Sequence, residues 1–184
     1  MTAFIAILRG INLGSHYKLP MPELKKLCLS LKYENPETYI QSGNVVFRSD
    51  ETRQEAMADN LSKKIASAFH YDVPVIVLSE KELMSVIKQN PFLTLKGIDT
   101  ERLHVTFLAE RPSKTDLDKI TGNDYEPDRF ICKGKSVYLY CPNGYGRTRL
   151  TNTFFESKLK VTATTRNWRT LHVLAAMASA QKPA

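Results

Sequence analysis

Four short polar stretches carry the residue types that hold anions: guanidinium cations, side-chain amides and glycines placed close together. The first is Arg9-Gly10-Ile11-Asn12-Leu13-Gly14, where two glycines frame a turn that holds a cation and an amide. The second is Gln41-Ser42-Gly43-Asn44, in which Asn beside Gly is also what hairpin turns prefer. Ser42 has no G-x-S-x-G frame and no histidine near it in sequence, so a nucleophilic role finds no support. The third, Pro142 to Asn152, is a glycine-rich loop running into a helix, which lets backbone N–H groups approach an anion at the helix start. Its spacing is wrong for a G-x-x-x-x-G-K-[ST] phosphate loop and the lysine is missing, which excludes a nucleotide triphosphatase of that kind. The fourth is Thr164-Thr165-Arg166-Asn167-Trp168-Arg169-Thr170, read as a threonine cap followed by two arginines in a first helical turn. Cations there lose about 0.3–1 kcal/mol to the helix dipole, so their placement suggests a use in holding an anion. The competing readings are structural: Asn12 capping its loop, Arg9 in an ion pair, Arg166 paired with Glu156 and Trp168 filling the core.

Charge points the same way. The chain of 184 residues has a net charge of +7, and residues 143–170 hold Arg147, Arg149, Lys158, Lys160, Arg166 and Arg169 against Glu156 alone. Beyond Glu156 there is no acidic residue, so the excess is concentrated, as an anion-binding surface requires.

The motifs Leu8-Arg9-Gly10-Ile11-Asn12-x-Gly14, Tyr39 to Phe47 and Thr164-Thr165-Arg166-Asn167-Trp168-x-Thr170 resemble the hallmarks of a bacterial family of proteins of unknown function, domain of unknown function 1697. Met21, Leu24 and the run Gly146-Arg147-x-x-Leu150-x-Asn152 fit as well. The resemblance spans essentially the whole chain and departs at Ser15, where relatives often carry glycine. It implies a ferredoxin-like first subdomain and supplies no reaction.

The elements that must position these stretches follow from periodicity. Residues 3–8 are apolar throughout, as in a strand covered on both faces. Leu24, Leu27, Cys28 and Leu31 recur with helical spacing, and Pro22 suits a first turn. Thr38-Tyr39-Ile40 and Val45-Val46-Phe47 read as a hairpin about Ser42-Gly43-Asn44. Met57, Leu61, Ile65 and Phe69 mark a second helix, and Val73 to Leu78 a strand. The order is βαββαβ, the ferredoxin-like signature. Ser79 and Glu82 have capping-box spacing and open a connecting helix.

The second half repeats the order: a strand from Leu103, a short helix capped by Ser113, and a hairpin about Lys133-Gly134-Lys135. A helix over 151–159 follows, then Val161 to Thr165 as either a strand or a loop, and a closing helix from about Arg166. The expected architecture is α+β, two tandem ferredoxin-like (βαββαβ) subdomains, the second with an extra C-terminal helix. Its parts are 1–79, a connecting helix and loop over 80–101, and 102–184. Gln181 to Ala184 reads as a loose tail.

Function follows from the four stretches. The expected ligand-binding residues are Arg9, Asn12, Ser42, Asn44, Arg147, Asn152, Arg166 and Asn167, converging on a basic cleft between the subdomains. The expected ligand is phosphate-bearing or otherwise anionic, a nucleotide or nucleic acid. An enzyme acting on a small anionic substrate, and a structural or oligomer-forming protein, are the alternatives; no catalytic residue is assigned. Cys28, Cys132 and Cys141, with His16, His70, His104 and His172, match no metal-ligand spacing, and no cofactor is expected. No apolar run approaches the roughly 18 residues of a membrane span, and no signal-peptide pattern opens the chain, so a cytoplasmic location is expected.

Overall fold

The computed structural model describes residues 1–181. The chain divides into two units: Met1–Ser85 together with the chain from His172, and Val86–Leu171. In the first unit, β1 (Thr2–Leu8), α1 (Met21–Ser30), β2 (Glu34–Thr38), β3 (Asn44–Ser49), α2 (Gln54–Phe69) and β4 (Val75–Ser79) build a sheet of order β2-β3-β1-β4. The second unit repeats the plan with β5 (Leu103–Leu108), α4 (Lys114–Asp118), β6 (Arg129–Lys133), β7 (Ser136–Tyr140), α5 (Asn152–Leu159) and β8 (Ala163–Asn167), in the order β6-β7-β5-β8. All neighbours are antiparallel. These are two tandem ferredoxin-like subdomains. The chain passes between them within α3 (Glu80–Lys88) and within α6 (Trp168–Ala180).

Alternation assigns the faces. In β1, Phe4, Ala6 and Leu8 join Val45, Phe47, Leu24, Met57, Leu61 and Ile65 in one core, while Ile5 and Ile7 on the opposite face are equally buried. Leu24 and Cys28 are fully buried in α1, whereas Leu27 and Leu31 lie at the core margin. In the second unit, Leu108, Val137, Leu139 and Ala163 pack with Phe155 and Leu159 of α5. The predicted capping box closes as drawn: Glu82 N donates to Ser79 Oγ at 3.2 Å and Ser79 N to Glu82 Oε2 at 2.8 Å. Ser113 caps α4 through Asp116 N, and Thr151 caps α5 through Phe154 N.

Three local expectations are corrected. The fourth stretch is helical only from Trp168: Thr164, Thr165 and Arg166 lie in β8, paired with Phe107, Thr106 and Val105, and of its two arginines only Arg169 falls in the first turn of α6. Their β-branched neighbours win, and α6 starts only after Asn167, whose Oδ1 accepts from Thr170 N at 2.8 Å. Tyr39-Ile40 is loop instead of strand, because β2 starts earlier, at Glu34, and ends at Thr38. Ile40 sits at φ 50° and is exposed, and Tyr39 N closes the loop onto Asn44 O at 3.0 Å. Gln181 is buried, its side chain donating to Asn35 O at 2.8 Å and its carbonyl accepting from Arg48 at 2.9 Å. The rest of the predicted loose tail lies outside the described residues.

Candidate functional site

In the first unit the first two polar stretches meet. Asn12 Oδ1 accepts from Leu19 N at 2.9 Å, while Asn12 Nδ2 donates to Leu19 O at 3.0 Å and to Gln41 O at 2.8 Å. Both amide protons of Asn12 are therefore used in tying its loop to the second stretch. Leu8 N continues the ladder to Gly43 O at 2.9 Å, and Arg9, half-buried, donates its backbone N–H to Pro74 O. Gly43 has φ +83°, and a Cβ there would stand 2.6 Å from Ile11 Cδ1 and 2.9 Å from Leu8 Cβ. Only glycine lets the two stretches lie this close. Asn44 is fully buried and its Nδ2 donates to Tyr39 O at 3.0 Å and Ser42 Oγ at 3.2 Å, holding the loop of the second stretch in shape.

These contacts leave an open cleft of about 420 Å³ lined by Asn12, Lys18, Pro20, Met21, Pro22 and Gln41. It sits at the first turn of α1, whose Pro20 N-cap provides no side-chain hydrogen bond. The segment 9–22 that forms it carries Arg9, His16 and Lys18 and no carboxylate. Lys18 and Gln41 are exposed.

In the second unit the third and fourth stretches meet at one hydroxyl. Thr165 Oγ1 lies 2.6 Å from Asn152 Oδ1, 2.7 Å from Thr106 Oγ1 and 3.0 Å from Tyr145 Oη. Asn152 Oδ1 can only accept, so Thr165 donates to it and receives protons from Thr106 and Tyr145. Tyr145 stacks on His104, with ring centroids 5.0 Å apart and planes at 27°. His104 Nδ1 is 3.2 Å from Arg102 O, an acceptor, so Nδ1 carries the proton and Nε2 keeps its lone pair. Burial pushes the pKa of His104 down, aided by the Arg102 charge and opposed by that hydrogen bond.

The arginines of this unit differ in setting. Arg166 is buried, and its Nη1 donates to Thr164 Oγ1 at 3.0 Å and Thr165 O at 2.8 Å. Arg147 is exposed, at the end of a single 3-10 turn, Tyr145–Arg147. Glu156 Oε1 accepts from Ala163 N at 3.2 Å. Asn167 is spent as the α6 cap. Sequence reasoning missed Lys18 and His104. The available signal for His104 was a His-x-Thr alternation inside an otherwise apolar strand.

Among the described residues, no group of three or more His, Cys, Asp or Glu side chains is placed to hold a metal ion. Nor, among the described residues, is any helix long and apolar enough to cross a membrane. Cys28 and Cys141 are buried, their thiols pushed up to about 12 and about 11.

The fold and its loop motifs thus define a tandem ferredoxin-like protein whose motif asparagines chiefly organise loops. The chain belongs to the family described as protein of unknown function (DUF1697), whose model matches residues 1–138. Among solved structures it is similar to a conserved bacterial protein from Streptococcus pneumoniae, with 20% identity, a TM-score of 0.76, and coverage of 96% of this chain and 98% of that one. That likeness is one of fold. No curated protein matches.

Proposed function

We propose that this protein binds a phosphate-bearing or other anionic ligand, of the nucleotide or nucleic acid class, through the cleft at the start of α1. The observation that carries the reading is the cleft itself, lined by Lys18, in a segment 9–22 that carries Arg9, His16 and Lys18 and no carboxylate. Of the sequence-predicted residues, Arg9 adds charge beside the cleft, and Arg147 lies in the second unit, outside it. Asn12, Ser42 and Asn44 shape the loops around the cleft, and Asn152, Arg166 and Asn167 organise the second unit. Phosphate contacts weaken steeply with salt, so binding of a nucleotide and of an oligonucleotide should fall as ionic strength rises. Lys18→Glu should abolish it while leaving the thermal transition in place. Affinity indifferent to both salt and Lys18→Glu would reject the reading.

A second reading, an enzyme acting on a small anionic substrate, is favoured by one observation: His104 is oriented by a backbone carbonyl and keeps Nε2 as a base. Arg102, its near neighbour in sequence, supplies an exposed cation. A reaction that uses this base would lose its rate in His104→Gln without losing anion affinity.

A further inference from the structure

Each sheet has two edge strands, and three of the four edges carry specific devices that block part of their outward backbone. In β2, Asn35 at φ 48° and Pro36 create a bulge, and Gln181 Nε2 occupies Asn35 O. In β4, Pro74 precedes the strand, residues 75–77 are buried and Ser79 N is taken by Glu82. In β8, two of the outward groups are taken: Ala163 N donates to Glu156 and Thr165 O accepts from Arg166. Such blocking is how folded proteins keep an edge from pairing with other chains.

Among the described residues, β6 has no such device. It runs without a bulge through five paired residues, Arg129↔Tyr140 to Lys133↔Ser136, closed by a turn with Gly134 at φ 62°. In the β5–β7 ladder Leu108 N bonds Lys135 O, so Lys135, Val137 and Leu139 face β5, and Ser136, Tyr138 and Tyr140 face β6. Their partners Arg129, Ile131 and Lys133 therefore spend their backbone groups inward, and Phe130 and Cys132 point N–H and C=O outward. On the sheet face away from α5, Arg129, Ile131 and Lys133 are all exposed, Ile131 at 38%. Arg129 lies over the Tyr140 ring at 5.3 Å, and Lys133 Nζ reaches Gln89 O at 3.5 Å.

We infer that the open edge of β6 accepts an extended acidic segment of a partner protein as an added strand. The Phe130 and Cys132 backbone groups would supply the ladder. The partner would place acidic, apolar and acidic side chains at alternate positions opposite Arg129, Ile131 and Lys133. A second copy of this chain is the less fitting occupant. Antiparallel self-pairing about Ile131 sets Arg129 against Lys133 twice, at the non-hydrogen-bonded positions where side chains come closest. Like charges there oppose the pairing, while opposite charges in a partner strand favour it.

The test is a fluorescent peptide with glutamate at its first and fifth positions and valine at its third, titrated into the intact protein. Saturable binding is expected, with amide shifts centred on residues 129–133. N-methylation of the peptide's ladder-forming amides should weaken it by at least about tenfold, as should Cys132→Pro, which an edge strand tolerates. The double variant Arg129→Glu/Lys133→Glu should lose the acidic peptide and gain one with lysines in place of the glutamates. Absence of saturable binding, or binding untouched by N-methylation, would overturn the inference. So would concentration-dependent dimers of the unmodified protein that Cys132→Pro abolishes, since they would give the edge to a second copy. The N-methylated peptide keeps the test decisive should Cys132→Pro fail to fold.

Discussion

The central strand β1 of the first unit presents Phe4, Ala6 and Leu8 to helices of 10 and 16 residues, all of it apolar. Its counterpart β5 presents His104, Thr106 and Leu108 to helices of 5 and 8 residues. One topology thus supports two kinds of interior. Long helices cover their sheet with hydrocarbon, and polar motif residues are displaced to the loops at its end. Short helices leave part of the sheet face to polar side chains, and Tyr145 from a 3-10 turn, Asn152 at the start of α5 and Thr165 of β8 itself close it with hydrogen bonds. In both units the motifs meet in pairs, through backbone and amide in the first and through hydroxyls in the second.

The largest expected effects separate the two cores. Leu24→Ala should cost about 2–5 kcal/mol, since Leu24 is fully buried beneath a long helix. Leu117→Ala, on the half-buried face of α4, should cost about 1 kcal/mol. Denaturant melts of the two variants measure the difference; equal losses would mean that the short helix seals its core as well as the long one.

Next come the glycines. Gly43→Ala must hold an alanine at φ +83° and force its Cβ against Ile11 and Leu8, for a loss of about 2–4 kcal/mol. Gly146→Ala meets nothing within 4 Å and should stay within about 0.5 kcal/mol. Thermal denaturation of the pair checks whether glycine is a packing requirement in the first unit alone. Thr165→Val removes the hydroxyl that Asn152, Thr106 and Tyr145 share and should cost about 1–3 kcal/mol. A neutral result would show that water replaces the hydroxyl and that the polar interior is dispensable.

How much of this could be read from residues alone depends on where local and distant forces agree. The two βαββαβ halves were legible because apolar period and turn chemistry coincide, as at Ser79–Glu82 and Lys133–Gly134. Arg166 was misplaced because Thr164-Thr165 serves equally as a cap and as a strand, and pairing with β5 decides between them. Tyr39-Ile40 has strand propensity, yet a side-chain amide 5 residues on, Asn44, bends it into a loop. The cleft at the start of α1 was half legible: Asn12 and Gln41 stood out, but Lys18 enters only because Asn12 pins Leu19 beside Gln41.

The smallest stability effect concerns pH. Burial lowers the pKa of His104 in the folded state below the ordinary value, so the unfolded chain binds more protons as pH falls through that value near 6.5. Stability should therefore fall on acidification below about pH 6.5, and His104→Gln should flatten that part of the profile. An unchanged slope would place the titrating group elsewhere.

The central claim is that the first unit's cleft, and not the polar interior of the second unit, takes the anion. A titration of the isotope-labelled protein with a nucleotide, followed by amide shifts, addresses it directly. Saturable shifts are expected at residues 9–22 and Gln41, lost in Lys18→Glu. Shifts confined to His104, Tyr145 and Thr165, with residues 9–22 unmoved, would contradict it.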